Sequence, residues 1–431
     1  MISINFFKRQ FLQIRQERFS VYWLKVGGLR RILQLPLYVL AVPVVIVIRL
    51  ISPFFLVRMG ALISLRIGHF ATNTELYLCE RDAGINVPKQ RYIDLFHLAH
   101  RPICNRQLAI MWKRVLHIWP SWLLDPVILV NRMIAGGTAH EIGDNSQGDI
   151  DVHNLLERFP PHLQFTIEEE ASGEAGMRAM GIPEGARFVC LIVRDSAYLE
   201  TLFQKNQLEF SYHNYRDCDI QNYVLAAEEL AERGYFVIRM GVKVKTALKT
   251  KHPQIIDYAV NGMRSDFMDI YLGAKCEFCI TVGTGFDSVP FIFRRPIVNT
   301  NYVPLGLLST SSRQFLAITR NHYSVSKNRM LTLREIFDGG VGFSYASSEY
   351  EAHGIKLIEN TPEEIRDVVI EIVKILSGTW QPHEDDETLQ NRFWEIYPCE
   401  AVNVSNGRPL HGEIRSRFGA QFLRDNRDWL R

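Results

Sequence analysis

From Pro53 onward the chain alternates between short, almost continuously apolar runs and stretches with helical periodicity. In the second half the apolar runs predict strands at 187–193, 235–240, 278–282 and 296–299. Helices are predicted between them at 220–233 and 265–272. Strands of this kind that alternate with helices are typical of a parallel sheet covered on both faces. The pattern therefore predicts an α/β protein.

The first half shows the same alternation, with strands predicted at 54–58 and 92–95 and a helix at 105–116. The run Thr72-Asn-Thr-Glu75 has the spacing of a capping box, which predicts that a helix begins at Thr72. At 431 residues the chain is long enough for two domains with buried cores. We predict an N-terminal segment at 1–52, Rossmann-like domains at 53–167 and 168–380, and a tail at 381–431 that packs back on the N-terminal domain.

The formal charge of +2 conceals an uneven distribution. Residues 1–66 contain ten Lys or Arg and one acid, Glu17, which gives them +9 and leaves the remaining chain at +2 − 9 = −7. The acidic globular part disfavours nucleic acid as a partner, whereas the basic N-terminus, residues 1–52, suits an anionic membrane surface.

The N-terminal segment has the features of a membrane anchor. Residues 32–48 are apolar except for Gln34, but the run is shorter than the roughly 20 residues of a spanning helix. It also contains Pro36 and Pro43, which would interrupt its backbone hydrogen bonds. Over 4–15, apolar residues share one helical face with basic residues beside it. We favour two helices lying in the plane of the cytoplasmic leaflet; a single crossing, and a core helix that contacts no lipid, are the alternatives.

No metal site is predicted. The seven cysteines are scattered, and the close pair Cys276 and Cys279 has no second pair at zinc-ligand spacing, so core thiols in a reducing compartment are the better interpretation. The pattern D-x-D occurs at 149–151 and 217–219, but neither stands at a predicted strand end. The first follows a loop, and the second is expected to cap the helix that begins at Ile220.

The segment 275–298 predicts a strand, a Gly-Thr-Gly turn at 283–285, a helix that begins at Asp287-Ser288 and a second strand. A strand that leads into such a turn and a helix start presents backbone N–H groups and the positive end of a helix dipole above the sheet, which suits phosphate. A tight connection without a ligand is the alternative, because a lone Gly-Thr-Gly turn is a weak motif and no G-x-G-x-x-G pattern follows a strand here.

Polar residues lie at or near the ends of three predicted strands. They are Arg194, Asp195, Arg239, Lys243 and Thr284. Because ligands of parallel sheets bind beyond the carboxyl ends of the strands, this convergence predicts a single binding site.

Several segments of the second half resemble a family of bacterial glycosyltransferases associated with surface polysaccharides. They are 193–199 (Val-Arg-Asp-Ser-Ala-Tyr-Leu), 212–216 (Tyr-His-Asn-Tyr-Arg), 219–223, 239–241 and 264–272. The similarity is densest over 187–305. With two tandem α/β units and a basic N-terminal anchor, the chain resembles membrane-associated GT-B glycosyltransferases, in which two Rossmann-like domains face a cleft.

The resemblance implies transfer of a sugar from a nucleotide-sugar donor to a glycan or lipid-linked acceptor, in bacterial surface polysaccharide synthesis. It implies a donor site on 168–380, an acceptor site on 53–167, and no cofactor other than the donor substrate. The departing nucleoside diphosphate would be stabilised by cationic side chains and helix N-termini without a bound metal. The implied location is the cytoplasmic face of the inner membrane, as a peripheral or monotopic protein.

Under this resemblance Arg194, Arg239 and Lys243 are the candidates to hold the diphosphate. An Arg side chain can bind two phosphate oxygens at once, and the charge that develops on the leaving group needs fixed counter-charge. Further donor-site candidates are Asp195, His213 and Arg264.

The turn supplies the other donor-site candidates. Thr284 and Gly285 would donate hydroxyl and N–H hydrogen bonds to phosphate. Asp287 and Ser288 would contact donor hydroxyls, although N-capping of the helix explains either residue equally well.

His69, in Arg-Ile-Gly-His69, is the favoured general base, because several GT-B families place Gly-His or Gly-Asp before a helix of the first domain. An imidazole that titrates near neutral pH suits removal of a proton from an acceptor hydroxyl. Glu75 and Asp94 are weaker candidates. A base is required only if the enzyme inverts configuration.

Two other functions compete with transfer. A non-catalytic nucleotide-sugar or glycan-binding scaffold of a polysaccharide assembly complex would bind ligand without turnover. A phosphotransferase is disfavoured because neither G-x-x-x-x-G-K-[ST] nor a kinase motif set is present.

Overall fold

The computed structural model describes residues 28–99, 102–143, 149–197, 200, 211–403 and 407–431, and side chains from Leu35 onward. The predicted amphipathic segment 4–15 lies outside these residues. The strands are β1 Leu56–Leu62, β2 Tyr92–Leu98, β3 His117–Ile118, β4 Phe188–Ile192, β5 Phe236–Arg239, β6 Ile255–Ile256, β7 Cys279–Thr281, β8 Ile297–Tyr302, β9 Phe315–Thr319, β10 Asn321–Ser324, β11 Arg329–Met330, β12 Ile355–Ile358 and β13 Arg417–Phe418.

The α-helices are α1 Gly28–Ile51, α2 Ile67–Asp82, α3 Arg106–Val115, α4 Ser121–Met133, α5 Ile167–Ala179, α6 Val224–Glu232, α7 Asp266–Lys275, α8 Ser288–Ile292, α9 Leu333–Asp338, α10 Ser347–Ala352, α11 Pro362–Leu376, α12 Asp386–Ile396 and α13 Ala420–Asp425. The chain divides into two compact units, each built from discontinuous segments. The smaller unit takes its described residues from Met1–Leu62, Pro88–Ala99 and Leu116–Gly143, and the larger unit takes the rest.

The smaller unit is a parallel three-stranded sheet, β1-β2-β3, with α1 and α4 packed together beside it. The buried stripe of α1 is Ala41, Val45 and Ile48, at helical spacing, and it shares a core with α4 and β1. Arg49 fastens the two helices, since its guanidinium donates to the side-chain and backbone oxygens of Asn131 at 2.9 and 3.2 Å.

The helix α1 runs without interruption through Pro36 and Pro43, contrary to the expectation that these prolines would break it. Each proline removes one N–H from the backbone ladder, but the hydrogen bonds on either side and the packing of α1 on α4 maintain the helix. Among the helices of the described chain, none combines the length and apolar character needed to cross a membrane.

The larger unit contains a seven-stranded sheet in the order β13-β9-β8-β7-β4-β5-β6, in which every pair is parallel. Because successive side chains of a strand point to opposite faces, Val189 and Leu191 pack with α6 and α11 while Cys190 and Ile192 pack with α7. Both faces are therefore covered, as the near-continuous apolar strands predicted. The α/β class with parallel sheets is confirmed.

The predicted strands of the second half are confirmed to within a few residues, but the predicted capping box at Thr72 is wrong. The helix α2 begins five residues earlier, at Ile67, and Thr72 lies buried inside it. Glu75 does not turn back to the backbone of residue 72, because its carboxylate is bound to Arg294 and His162.

The C-terminal tail completes the larger sheet. β13 pairs with β9, and Phe393, Phe418 and Phe422 join the core on one face of that sheet. The tail also contacts the 152–157 segment, where Asn154 donates to the carbonyl of Glu413 at 3.0 Å. The predicted domain limits at 52, 167 and 380 stay a prediction.

A buried ion-pair network holds α2 against the larger sheet. Arg294 donates to Glu75 at 2.6 Å, and its guanidinium also reaches the carbonyls of Phe159 and Pro160. His162 bridges Glu75 and Asp82 at 3.0 and 2.9 Å. Burial of the ring opposes its charge, but the two carboxylates outweigh burial and raise the pKa of His162.

We predict that Arg294→Asn lowers the free energy of unfolding by about 3–5 kcal/mol, because the Glu75 carboxylate, 1% exposed, loses its guanidinium partner. Asn is the replacement because it tolerates the left-handed φ of 61° at this position. Urea denaturation measures the change. Arg233→Asn, which removes an exposed ion pair with Glu229, is the control and should cost at most about 1 kcal/mol. Equal losses in the two variants would contradict this role for Arg294.

Candidate functional site

A cavity of about 740 Å³ opens at the carboxyl ends of four adjacent strands, β5, β4, β7 and β8. All of its lining residues belong to the larger unit. From β4 the chain builds outward through β5 and β6, then returns to the other side of β4 with β7 and continues outward from there. The cavity therefore lies at the topological switch point of the sheet, where loops diverge and parallel α/β folds bind their ligands.

The turn between β7 and α8 is held by one carboxylate, that of Asp287. Asp287 accepts from the Thr281 hydroxyl at 3.0 Å and from the N–H of Thr284 at 2.7 Å, and Gly283 supplies the left-handed φ of 72°. Burial, opposed by these hydrogen bonds, raises the pKa of Asp287 to about 6. The strand, turn and helix follow in the predicted order.

The turn offers a weaker helix dipole and fewer backbone N–H donors to phosphate than the sequence predicts. The helix α8 has five residues, too few for a substantial dipole, and the N–H of Thr284 is already donated to Asp287. The Thr284 hydroxyl is buried without a hydrogen-bond partner among the described residues, and it borders the cavity with Gly285 and Ser288.

Two guanidinium groups face the same cavity. Arg194 follows β4 and pairs with Asp217 at 3.1 Å, but its Nη2 is buried without a hydrogen-bond partner in the described chain. Arg216 ends a 3₁₀ helix, Ser211–Arg216, and within the described residues its Nε is likewise buried and unpartnered. Burial, and then the charge of Arg216, lower the pKa of Arg194.

The position of Arg216 is fixed by its neighbour. The N–H of Tyr215 donates to the Ser347 hydroxyl at 3.1 Å, and its ring packs on Tyr350 with centroids 5.1 Å apart. A Cβ added to Gly283 would lie 3.7 Å from Nη2 of Arg216, so this guanidinium reaches the turn after β7. Arginines from two connections thus line one cavity, and Asp217 pairs with Arg194.

Other predicted residues line the cavity but have protein partners. Asp195 accepts from the N–H groups of Ala197 and Lys245 at 2.9 and 2.8 Å. Arg264 binds Asp269 at 2.6 Å and is thereby held at the start of α7. Lys243 borders the cavity on the loop after β5.

His69 reaches the cavity through a close contact between two glycines. A Cβ on Gly68 would lie 3.2 Å from the Cα of Gly285, so the first turn of α2 and the turn after β7 touch through backbone. This contact sets His69 at the cavity wall, where its Nδ1 lies 3.6 Å from a carboxylate oxygen of Asp149.

The structure places three candidates elsewhere. Arg239 is buried and bound to Asp257 through both carboxylate oxygens at 3.0 and 3.2 Å. Glu75 is buried in the α2 network described above. Asp94 belongs to the smaller unit, where Arg58 binds it at 2.6 and 2.7 Å. The side chain of His213 lies outside the described atoms.

Sequence analysis missed three residues of the site: Arg216, Asp217 and Asp149. Arg216 and Asp217 end no strand, so the criterion of polar strand ends does not select them. The segment 212–216 carries part of the family resemblance, and Asp217 belongs to the D-x-D pattern that was assigned to a helix cap. Asp149 was noticed for its D-x-D spacing and set aside as a loop residue. Folding brings that loop to His69.

One group of side chains has the composition of a metal site. Ligand atoms of Glu75, Cys79 and His162 lie within 4.8 Å of one another. Nη2 of Arg294 already lies 2.6 Å from the Glu75 carboxylate and 3.7 Å from the Cys79 sulfur. The guanidinium thus occupies the place of a cation, and this donor set fits the ion-pair network better than a metal.

The sequence matches no protein-family model and no curated protein. Among solved structures, E. coli ADP-heptose LPS heptosyltransferase II is similar at a TM-score of 0.35 and 14% identity, over 61% of this chain and 90% of that one. A glycosyl transferase family 9 protein of Veillonella parvula is similar at a TM-score of 0.39 and 10% identity, over 75% of this chain and 97% of that one. S. aureus MnaA in complex with UDP is similar at a TM-score of 0.27 and 9% identity, over 75% of this chain and 98% of that one. At these TM-scores neither fold nor function is carried over to this chain.

We predict that Asp287→Asn removes part of the pH dependence of stability. Since the pKa of Asp287 is about 6 in the folded state against an ordinary 3.8, the folded state binds this proton more tightly, and wild-type stability falls as pH rises between these values. As pH rises across that window, the free energy of unfolding of the variant should increase relative to that of the wild type by up to about 1.4 kcal/mol per pH unit. Urea denaturation measures both. Asp428→Asn, an exposed carboxylate, is the control and should follow the wild type. Parallel profiles for wild type and Asp287→Asn would contradict the raised pKa.

Proposed function

We propose that this protein is a glycosyltransferase whose larger unit binds a nucleotide sugar in the cavity at the sheet switch point. The observation that carries the proposal is the pair Arg194 and Arg216, two guanidiniums at one cavity with unpartnered buried nitrogens among the described residues. Buried donors are normally hydrogen-bonded, and like charges held together require an anion.

A diphosphate meets these requirements better than a single carboxylate. The buried Nη2 of Arg194 and Nε of Arg216 have no hydrogen-bond partner among the described residues, and a planar guanidinium can bind two phosphate oxygens at once. The Thr284 hydroxyl at the same wall adds a neutral donor. A volume of about 740 Å³ also falls in the range of small-molecule and cofactor sites, roughly 300–1,000 Å³.

In the proposed reaction an acceptor hydroxyl attacks the anomeric carbon of the donor sugar. The bond from that carbon to the diphosphate oxygen breaks as the bond to the acceptor oxygen forms, and Arg194 and Arg216 stabilise the charge left on the diphosphate. For an inverting enzyme, His69 takes the acceptor proton. Because its Nδ1 faces Asp149, Nε2 is the nitrogen that accepts this proton, and the carboxylate stabilises the resulting imidazolium.

We also propose the finer features that the family resemblance implies. These are a GT-B arrangement, chemistry without a bound metal, a glycan or lipid-linked acceptor in bacterial surface polysaccharide synthesis, and action at the cytoplasmic face of the inner membrane through residues 1–52. Support comes from the parallel sheet in each unit and from the basic charge of the N-terminus.

We predict that Arg194→Ala and Arg216→Ala each raise the Kd for the nucleotide by about 10- to 100-fold while the protein stays folded, because each removes charge-assisted hydrogen bonds to phosphate. Isothermal titration of the full chain with UDP, GDP, dTDP, ADP and CMP, in EDTA and then in magnesium, measures the affinities and identifies the base. Arg178→Ala, on the exposed face of α5, is the control and should bind like the wild type. Wild-type affinity in both cavity variants would remove the proposed donor site.

We predict that His69→Gln lowers turnover at least about 100-fold while the nucleotide Kd changes less than about threefold, because the base acts on the acceptor and not on the diphosphate. Hydrolysis of the nucleotide sugar, with water as acceptor, measures turnover for the base identified by titration. Asp149→Asn should lower turnover by a smaller factor. Ser172→Ala on α5 is the control and should leave turnover unchanged. Unchanged hydrolysis in His69→Gln would exclude the base assignment. Nucleotide binding without any turnover would favour the scaffold.

A further inference from the structure

The helix α1 exposes apolar side chains around most of its circumference. From Leu35 to Ile48 no residue is charged, and among these side chains three, Ala41, Val45 and Ile48, form the stripe that packs on α4. Exposed apolar residues flank that stripe on both sides: Leu35, Val39, Leu40, Val42, Val44, Ile46, Val47 and Leu50. A helix that is apolar all round is normally buried on all sides.

The helix α4 has an apolar outer stripe of its own. Trp122, Leu129 and Met133 are 55%, 43% and 85% exposed, and their spacing of seven and four residues places them on one helical face. The core-facing residues of α4, such as Leu124 and Ile128, lie on the opposite side of the helix. Its outer stripe is therefore unpartnered in the described structure.

These two helices pack directly on each other inside the smaller unit. They share a core, and Arg49 of α1 binds Asn131 and the carbonyls of Ile134 and Ala135 at the end of α4. Trp119, 46% exposed, lies just before α4 and extends the apolar surface. Soluble monomers rarely expose contiguous apolar patches above a few hundred Å².

We propose that the outer faces of α1 and α4 together rest on an anionic lipid bilayer. This inference deepens the proposed membrane attachment and rests on it, because it assigns to α4, outside residues 1–52, a direct part in lipid binding. Residues 122, 129 and 133 would enter the boundary between headgroups and acyl chains, with Trp119 and Trp122 at the headgroup level, where tryptophan is favoured.

Charge favours lipid over a second copy of the chain as the occupant of this surface. Residues 1–31, which comprise the sequence before α1 and the first four residues of that helix, have seven Lys or Arg and one acid. Such a segment is attracted to anionic headgroups by about 1 kcal/mol per basic residue near the surface. Two copies facing each other through the same surface would bring these basic segments together, which like charge opposes.

The test compares vesicle binding by the full-length protein and two triple variants. The first, Trp122→Gln/Leu129→Gln/Met133→Gln, makes the α4 stripe polar without changing charge. The matched control replaces three apolar residues of similar exposure in the larger unit, namely Ile167, Val260 and Val325 at 85%, 52% and 51%, with Gln. Co-sedimentation with phosphatidylcholine vesicles, with and without phosphatidylglycerol, gives the partition coefficient of each protein.

We expect the wild type to bind anionic vesicles, the α4 variant to lose at least about tenfold in partition coefficient, and the control to lose less than about twofold. Wild-type binding by the α4 variant would overturn the part given to α4 while leaving attachment through residues 1–52. Absence of wild-type binding would overturn both. If the wild type self-associates without lipid and the α4 variant is monomeric, the occupant is a second copy and the proposal fails.

A second measurement does not depend on a polar variant. Brominated phosphatidylcholine quenches indole fluorescence at the acyl boundary, so quenching should fall in Trp122→Phe relative to the wild type. Equal quenching in both would place Trp122 away from lipid. Nucleotide affinity is measured separately on the same proteins, so the lipid result and the glycosyltransferase proposal can fail independently.

Discussion

Two arginine side chains, Arg194 and Arg216, line one cavity with buried nitrogens that have no hydrogen-bond partner among the described residues. Arg194 is fixed by the end of β4, and Arg216 by a 3₁₀ helix whose Tyr215 is anchored on α10. Burial and then the charge of Arg216 lower the pKa of Arg194, whereas the half-buried carboxylate of Asp217 pairs with Arg194. A bound anion would offset the repulsion between these two guanidiniums, and the proposed diphosphate would also accept hydrogen bonds from both of them.

The rest of the larger unit places that pair and the proposed base around one space. The sheet order creates the switch point, and the contact between Gly68 and Gly285 brings the first turn of α2 against the turn after β7. Because α2 is tied to the sheet by Glu75 and Arg294, His69 at its start occupies a defined position. A buried ion pair distant from the proposed reaction thus acts as a positioning element.

The order of strands and helices and the polar residues at strand ends could be predicted from the sequence. Side-chain pairs between residues distant in the sequence could not. The parallel sheet, the turn at 283–285 and the cavity position of Arg194 follow from apolar runs and the polar residues near them, whereas His69 was predicted from the family resemblance. Arg239 ends a strand as predicted, yet its guanidinium is bound by Asp257, which no local pattern indicates. Glu75 fits the spacing of a capping box, but its carboxylate is bound by His162 and Arg294, which lie 87 and 219 residues away in the sequence.

The most direct test of the central claim is the location of a bound nucleoside diphosphate in a crystal of the full chain grown with the nucleotide of highest affinity. We predict phosphate oxygens at about 3 Å from Nη2 of Arg194 and from the guanidinium of Arg216, with the Thr284 hydroxyl directed at the same group. Density for the diphosphate at another site, or an empty cavity at saturating nucleotide, would contradict it.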